Sequence, residues 1–380
     1  MKKITLSLTT IALLSTYANA ESLESKIENL NKKIEKLESK TQVQAKAIKL
    51  KFNGKHYLGF TQKTPKTGDS TSKFETRRNY FQTKAYFKED PKSYMRFTYD
   101  THQNTEGEWN VRLKYAYLYL DNVLPNTGVE FGQVHRPWID YEEHHIWLYR
   151  SIHKVFVEAD ESAHLTNSSD LGINFKTKTK YFSSEIGLYN GEGYHSKEDG
   201  KGKSFEWRLT AHPLGTGKKH IKSKDTYLDI SFFGQLNQSL AKSYGVGKDA
   251  IEKNTTVKTE HNLNWFAGAV VYNQPEFLFG AQYVVADNED YKYQGAGFSL
   301  NGEFRFMDKY SAIGRYDNWT INKDEVANLD KEGTKDSYLI GLVYNYNKNV
   351  KFIGNMLDVK YADSESKDFT QYMITAEVNW

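Results

Sequence analysis

Acidic pairs, histidines, tryptophans and bases crowd into one stretch of this chain, residues 131–158, FGQVHRPWIDYEEHHIWLYRSIHKVFVE. Three kinds of chemistry use such residues. A metal site would draw on Glu142, Glu143, His144 and His145, but consecutive positions point apart, and neither an HExxH spacing nor a distant ligand cluster supports one. Acid–base or nucleophilic catalysis would need His153 and Lys154 beside a serine or cysteine nucleophile, and no such partner is evident. The third chemistry is electrostatic. Arg136, Glu142, Glu143, Arg150, His153 and Lys154 packed into a narrow passage would act directly on passing ions. Two unit charges about 4 Å apart interact by roughly 4 kcal/mol at an effective dielectric of about 20. Charges on outer loops are screened beyond about 8 Å at physiological salt. Trp138 and Trp147 are expected to pack the stretch against a wall, with a sugar-stacking platform as the alternative.

The scaffold decides among these. From residue 51 onward the pattern has period two. Sixteen alternating segments stand near 52–62, 74–88, 93–101, 109–121, 128–135, 169–178, 181–190, 203–213, 226–238, 261–273, 276–286, 293–306, 309–319, 336–347, 349–362 and 369–380. Phe81, Thr83, Ala85 and Phe87 share one face while Arg78, Gln82 and Lys84 share the other. Met95, Phe97 and Tyr99 oppose Arg96 and Thr98. Phe205, Trp207, Leu209 and Ala211 oppose Glu206, Arg208 and Thr210. A soluble sandwich would show medium-sized aliphatics on the buried face. Here one face is aromatic and the other fully charged, which matches lipid outside and a water-filled lumen inside. Arg78, Lys84, Arg96, Arg112 and Lys114 then project from the lumenal faces of early strands as the pore wall.

Gaps between segments alternate in length. Glu89-Asp90-Pro91, Asn273-Gln274-Pro275 and Asn347-Lys348-Asn349 are tight-turn chemistry, whereas 239–260 and 320–335 are long, polar and charged. One short side and one long side suit the turns and loops of an outer-membrane barrel. The last strand runs Tyr372, Ile374, Ala376, Val378, Trp380, an apolar face ending on an aromatic residue.

The amino terminus and the composition agree. Lys2 and Lys3, the short apolar run Ile4 to Leu14, and Ala18-Asn19-Ala20 read as a signal peptide over 1–20, with the mature chain starting at Glu21. The apolar run is too short for a spanning helix, which needs about 20 residues. The chain holds no cysteine, so no disulfide framework is expected. A mean hydropathy of −0.72 with 14% aromatic residues excludes helical spans and fits a barrel, in which only every second strand residue meets lipid. Setting aside the signal and residues 21–50 leaves 42 basic against 43 acidic residues, so net charge says nothing about cargo. Residues 21–50 carry Ile27 and Ile34 at heptad a positions and Leu23, Leu30 and Leu37 at d, a short periplasmic coiled coil; a lone amphipathic helix is the plainer alternative.

Three motifs in order carry a family resemblance. Phe131-Gly132-Gln133 running to Pro137, with Glu142 and Glu143 following, resembles the constriction-loop region of the phosphate-selective porin O and P family. Tyr189-Asn190-Gly191-Glu192-Gly193 resembles that family's strand end, and Arg315-Tyr316-Asp317 its late arginine-tyrosine motif. The likeness spans roughly 70–380. It implies a sixteen-stranded trimeric porin whose third extracellular loop folds into the lumen, with arginines and lysines along the pore setting anion selectivity.

The expectation is an all-β chain: an antiparallel transmembrane β-barrel of about 16 strands over 51–380, its inward loop near 136–165, preceded by a coiled-coil helix. It would be a bacterial outer-membrane porin passing small hydrophilic solutes or ions with a mild anion preference. A structural barrel that anchors the envelope through residues 21–50 is the alternative. Expected partners are outer-membrane lipid, further copies in a homotrimer, small anions or hydrophilic solutes, and a periplasmic partner for 21–50. No catalytic activity, nucleic acid, cofactor or metal is expected.

Overall fold

Period-two alternation becomes strand throughout the carboxy-terminal 330 residues or so. The computed structural model describes residues 25–37, 48–196, 198, 202–238, 263–288, 295–321, 333–362 and 367–380. Its first eight strands are β1 (Ile48–Pro65), β2 (Thr71–Phe87), β3 (Tyr94–Gln103), β4 (Trp109–Leu124), β5 (Thr127–His135), β6 (Ser169–Lys178), β7 (Phe182–Tyr189) and β8 (Lys203–Ala211). The others are β9 (Tyr227–Gln238), β10 (Leu263–Asn273), β11 (Phe277–Asn288), β12 (Gly295–Phe306), β13 (Tyr310–Ile321), β14 (Lys335–Asn345), β15 (Val350–Tyr361) and β16 (Phe369–Asn379). Each lies next to its sequence neighbours, and β1 pairs antiparallel with β16, Phe60 opposite Ile374, which closes the barrel. Closure leaves no unpaired edge in the membrane. The sixteen expected segments correspond to these strands one for one.

At one end the connections take two to six residues, apart from 212–226; at the other they include 136–168, the third in chain order. The expected long loop 239–260, residues 322–332 of the one expected at 320–335, and the signal peptide lie outside the described residues; 320–321 and 335 belong to β13 and β14. Outward positions are apolar: Phe131 is 63% exposed, Phe232 62%, Ile340 59% and Ile374 64%. Inward, Glu206, Arg208 and Thr210 on β8 are buried, as their alternation predicts.

A charged inner face does not extend all the way round. On β10 to β15 the inward positions include Trp265, Val271, Val284, Leu339, Ile353 and Val359, all buried. The reason is the third loop, which lies against them and supplies the opposing half of an apolar core. A sheet face that would otherwise be wet is covered, so hydrophobic residues are favoured there.

Helix α1 covers 25–37, with Ile27, Leu30, Ile34 and Leu37 46%, 58%, 50% and 63% exposed. Glu28 and Lys32, one turn apart, form an ion pair at 2.7 Å. Of the coiled-coil expectation over 21–50, residues 21–24 and 38–47 lie outside the described residues, and 48–50 are corrected: they open β1, whose pairing in the barrel replaces the helix.

Candidate functional site: a loop seated inside the barrel

The loop leaves β5 through a close approach. Gly132 has φ +124°, and a Cβ there would sit 2.4 Å from the Ala116 carbonyl, so a side chain is excluded. Pro137 opens the short helix α2 (Pro137–Tyr141), a position where its missing N–H costs nothing. A π-helical turn, Glu142–Ile146, follows at once. These elements bury one side of the loop. Trp138, Ile139, Ile146 and Trp147 are nearly inaccessible, and Phe156 packs against Trp319 at 6.2 Å between ring centroids. The Trp138 indole donates to Gln282 Oε1 (3.2 Å), and that of Trp147 to the His153 carbonyl (2.9 Å). Both tryptophans therefore pack the loop on the wall, and their burial leaves no ring face for a sugar. Each fully buried apolar side chain here is worth about 2 kcal/mol.

Polar struts lock the seated loop. Arg136, 1% exposed, donates to Glu206, to Ser204 Oγ at 3.3 Å and to Gln235 Oε1 at 3.1 Å. Glu142, 0% exposed, accepts from the Phe156 N–H and from Gln282 Nε2, both at 2.6 Å. Burial lifts its carboxyl to about 7, against the pull of Arg315 and those two donors. Arg315 donates twice to Asp317 and once to the Lys154 carbonyl at 2.7 Å, while Ser162 donates to Asp317 at 2.5 Å. The expected role of Arg136 and Glu142 as lumenal charges is thus corrected: both are consumed in loop-to-wall contacts away from water. His153 is also covered, its Nδ1–H directed at the Lys154 carbonyl (2.9 Å), and burial lowers its pKa.

Glu143 and Arg150 lie on the loop's other side, toward the wall of β2 to β6. Arg150 is clamped by Glu143 (2.5 Å) and Glu158. Burial opposes its charge, but the two carboxylates outweigh that and raise its pKa well above the ordinary value. Lys154 is half-buried and lies 3.6 Å from Asp160.

Across from the loop stands the wall of β2 to β6. Here one irregularity sets the geometry. Tyr99 pairs with Leu113 and Thr98 with Tyr115, leaving Lys114 as the extra residue of a β-bulge. Its carbonyl accepts from Gln133 Nε2 (3.0 Å) and Ser169 Oγ (2.7 Å). A bulge re-aims the strand, so Arg112 before it, Lys114 within it and Tyr115 and Tyr117 after it all face inward. Arg78 and Arg112 share Asp100, at 3.4 and 2.8 Å. The other three predicted wall cations meet aromatic groups instead. Lys84 lies 4.3 Å from the Tyr94 ring centre, Arg96 4.7 Å from that of Tyr115, and Lys114 4.6 Å from that of Tyr80. Arg96 also donates to the Tyr117 hydroxyl (3.2 Å) and contacts His135 Nε2 (3.0 Å). Among the described residues no carboxylate lies within ion-pair distance of Lys84, Arg96 or Lys114.

Between loop and wall lies a cavity of 380 Å³, lined by Lys55, Arg96, Lys114 and Arg150 with Asp140, Glu143 and His144. Tyr57, Tyr80, Tyr115 and His135 also line it, with Gln82, Thr98 and Trp380 among the rest. Both acids are already engaged, Glu143 by Arg150 and Asp140 by Lys176 at 3.2 Å. Arg150 is spent in turn between Glu143 and Glu158, which leaves Lys55, Arg96 and Lys114 as the lining cations with no ion pair among the described residues.

Sequence reasoning missed Asp140, Lys176 and the tyrosines. The bulge moves Tyr115 and Tyr117 inward, where alternation from Lys114 assigns them to lipid, whereas Tyr80 shares the inward face of Arg78 and Lys84. It also missed a buried series in which Ser183 Oγ contacts His212 Nε2 (2.9 Å), His212 Nδ1 contacts Asp229 (2.6 Å) and loop residue His145 contacts the other Asp229 oxygen (2.9 Å). With Ser183 5% exposed and Asp229 shared by two imidazoles, this series pins the loop to the wall. Among the described residues no cluster with metal-binding geometry occurs.

No protein-family model matches the chain, and no curated protein does. Solved structures match its fold. The anion-selective porin of Comamonas acidovorans superposes with a TM-score of 0.63 at 10% identity, covering 88% of this chain and 100% of that one. OmpT, an outer-membrane protein of Vibrio cholerae, in a trimer form gives 0.58 at 14% identity over 88% of this chain and 100% of its own. OmpF of Salmonella typhi in complex with daunomycin gives 0.60 at 14%, with 88% and 98% covered. The chain has the fold of bacterial outer-membrane porins.

Proposed function

We propose that this chain is an outer-membrane porin for passive diffusion of small hydrophilic solutes and ions, leaning toward anions, with 131–158 as its constriction loop. The observation that carries the reading is the 380 Å³ cavity between loop and wall, where Arg96 and Lys114 stand without carboxylate partners. Fixed charge in a narrow wet passage is how channels select. The solved porins of like fold support the channel role, and the one named anion-selective supports the sign. The inward third loop and the basic wall support membership of the phosphate-selective porin O and P family. A homotrimer is supported by a neighbour solved in a trimer form. The exposed apolar stripe of α1 supports coiled-coil association, since a helix this short is marginal alone.

Planar-bilayer recording of purified protein tests the reading. Discrete conductance steps with an anion-directed reversal potential in a salt gradient are expected, and Lys114→Glu should move that potential toward cations. Absence of steps would remove the channel role, and a cation-selective wild type would remove the anion preference. A second reading, an envelope anchor acting through residues 21–50, rests on the same stripe; deleting that segment would then weaken the envelope while conductance persists.

A further inference from the structure

The cavity between loop and wall holds its unpaired wall cations in an unusual way, by rings. Lys114, 4% exposed, has its ammonium 4.6 Å from the Tyr80 ring centre and 5.4 Å from that of Tyr115. Arg96, half-buried, lies 4.7 Å from the Tyr115 ring centre and 5.7 Å from that of Tyr117. Tyr57 meets Tyr80 edge-on at 6.1 Å, and the His135 ring lies 4.1 Å from Tyr115, so rings and cations alternate along one wall. Other inward cations are neutralised directly: Arg78 and Arg112 by Asp100, Arg208 by Glu185, Arg305 by Glu303. A ring face steadies a cation through its quadrupole but carries no net charge. Arg96 and Lys114 therefore keep their charge.

Few of their N–H groups remain to meet a ligand. Arg96 spends Nε–H on Thr98 Oγ1 (3.1 Å) and Nη1 on the Tyr117 hydroxyl (3.2 Å) and His135 Nε2 (3.0 Å). Lys114 donates to the Tyr80 hydroxyl at 3.3 Å, and the Thr98 hydroxyl is used in turn on Gln82 Oε1 (3.4 Å). Among the described residues this leaves uncommitted the Nη2 pair of Arg96 and the remaining ammonium N–H groups of Lys114, both beside the Tyr115 ring. An ionised carboxylate has about four lone-pair sites, a number this set can fill. A sulfate or phosphate dianion brings more oxygens, and those turned to Tyr57 and Tyr80 would meet ring carbon in place of water. The cost of stripping water from an ion also rises with the square of its charge, while attraction to fixed cations rises only in proportion. The dianion loses on both counts. What the rings deny to extra oxygens they offer to an apolar body, which gains by covering them. The volume, 380 Å³, lies at the small end of ligand sites, roughly 300–1,000 Å³.

Resting on the channel reading above, we infer that this cavity favours monocarboxylates with an apolar body over inorganic dianions. The carboxylate meets Arg96 and Lys114, and the body lies on Tyr57 and Tyr80. The test is block of chloride current through the purified full-length protein in planar bilayers. Benzoate should halve the current at a concentration about tenfold below that of sulfate or inorganic phosphate, the size expected where buried acceptors go unmet. Acetate, with the same carboxylate and almost no body, should fall between. Tyr80→Ser removes ring area and lets water reach Lys114, and should bring benzoate and sulfate to within about twofold; its chloride steps report a folded channel. Tyr80→Phe keeps the ring and should retain the preference. Sulfate or phosphate blocking as well as benzoate, acetate matching benzoate, or an unaltered ratio in Tyr80→Ser would each overturn the inference and leave the channel standing. Absence of chloride steps in the wild type would remove both.

Discussion

On β2 to β6 the inward positions carry Arg78, Lys84, Arg96, Lys114 and Lys176 among tyrosines; on β10 to β15 they carry Trp265, Val271, Val284, Leu339 and Ile353. Both walls alternate, and both turn apolar groups to the outside. They differ in what covers them. The third loop buries its apolar side on the second wall and leaves, between itself and the first, a cavity bounded by cations and tyrosines on the wall side. A barrel lumen therefore need not be uniformly polar: a loop folded inside divides it into a packed half and a wet half. The same loop serves both, with Trp138, Trp147 and Phe156 facing the core and Asp140, Glu143 and Arg150 facing the cavity.

Breaking the packed half should have the largest effect. Trp147→Ala removes a 2%-exposed ring and one indole hydrogen bond, at a cost of about 4 kcal/mol. The loop then loses its seat, and single-channel conductance should rise with a noisier open level. An unchanged conductance would mean that the seat does not set the passage.

Next comes the hinge between the halves. Arg150→Ala strands Glu143 and Glu158 without their cation; losing one partner of such a pair costs about 3 kcal/mol. It also turns the loop side of the cavity acidic, so the reversal potential should shift toward cations by more than any single outer-loop substitution achieves. Arg150→Lys, which keeps the charge, should restore most of the selectivity.

The packed half also carries a pH dependence. Glu142 is held near 7 by burial, above its ordinary 4.5. Between those values the folded protein keeps a proton that the unfolded chain has released, so stability falls as pH rises from 4.5 to 7 and levels beyond. Glu142→Gln preserves an acceptor for Phe156 and Gln282 without the charge. It should unfold at the same temperature as wild type at pH 4 and be more stable at pH 8, by on the order of 3 kcal/mol at most. Heat-modifiable gel mobility at both pH values reads this.

Period-two alternation and turn residues made the barrel legible from the chain alone; the break in alternation marked the loop, although 131–135 of the expected stretch belong to β5 and the connection runs on to 168. The walls' division was not legible. It depends on contacts such as Arg136 with Glu206, Glu142 with Gln282 and Ser162 with Asp317, which join residues far apart in the chain. Charge clustering marked Arg136 and Glu142 as candidates, but only these partners decide that they are struts. Lys114 shows a second limit. A single inserted residue in β4 changes which faces Tyr115 and Tyr117 occupy, and no local pattern signals where a bulge falls.

The smallest effect sharpens the same division. Lys154 sits beside Arg150 in the charged stretch, and the two look equivalent from sequence. Its side chain, however, is 36% exposed, pairs loosely with Asp160, and does not line the cavity that Arg150 lines. Its backbone carbonyl, which Arg315 holds, survives any side-chain change. Lys154→Ala should therefore shift stability by less than about 0.5 kcal/mol and leave the reversal potential within error of wild type. A shift matching that of Arg150→Ala would place Lys154 on the ion path and move the boundary of the wet half deeper along the loop.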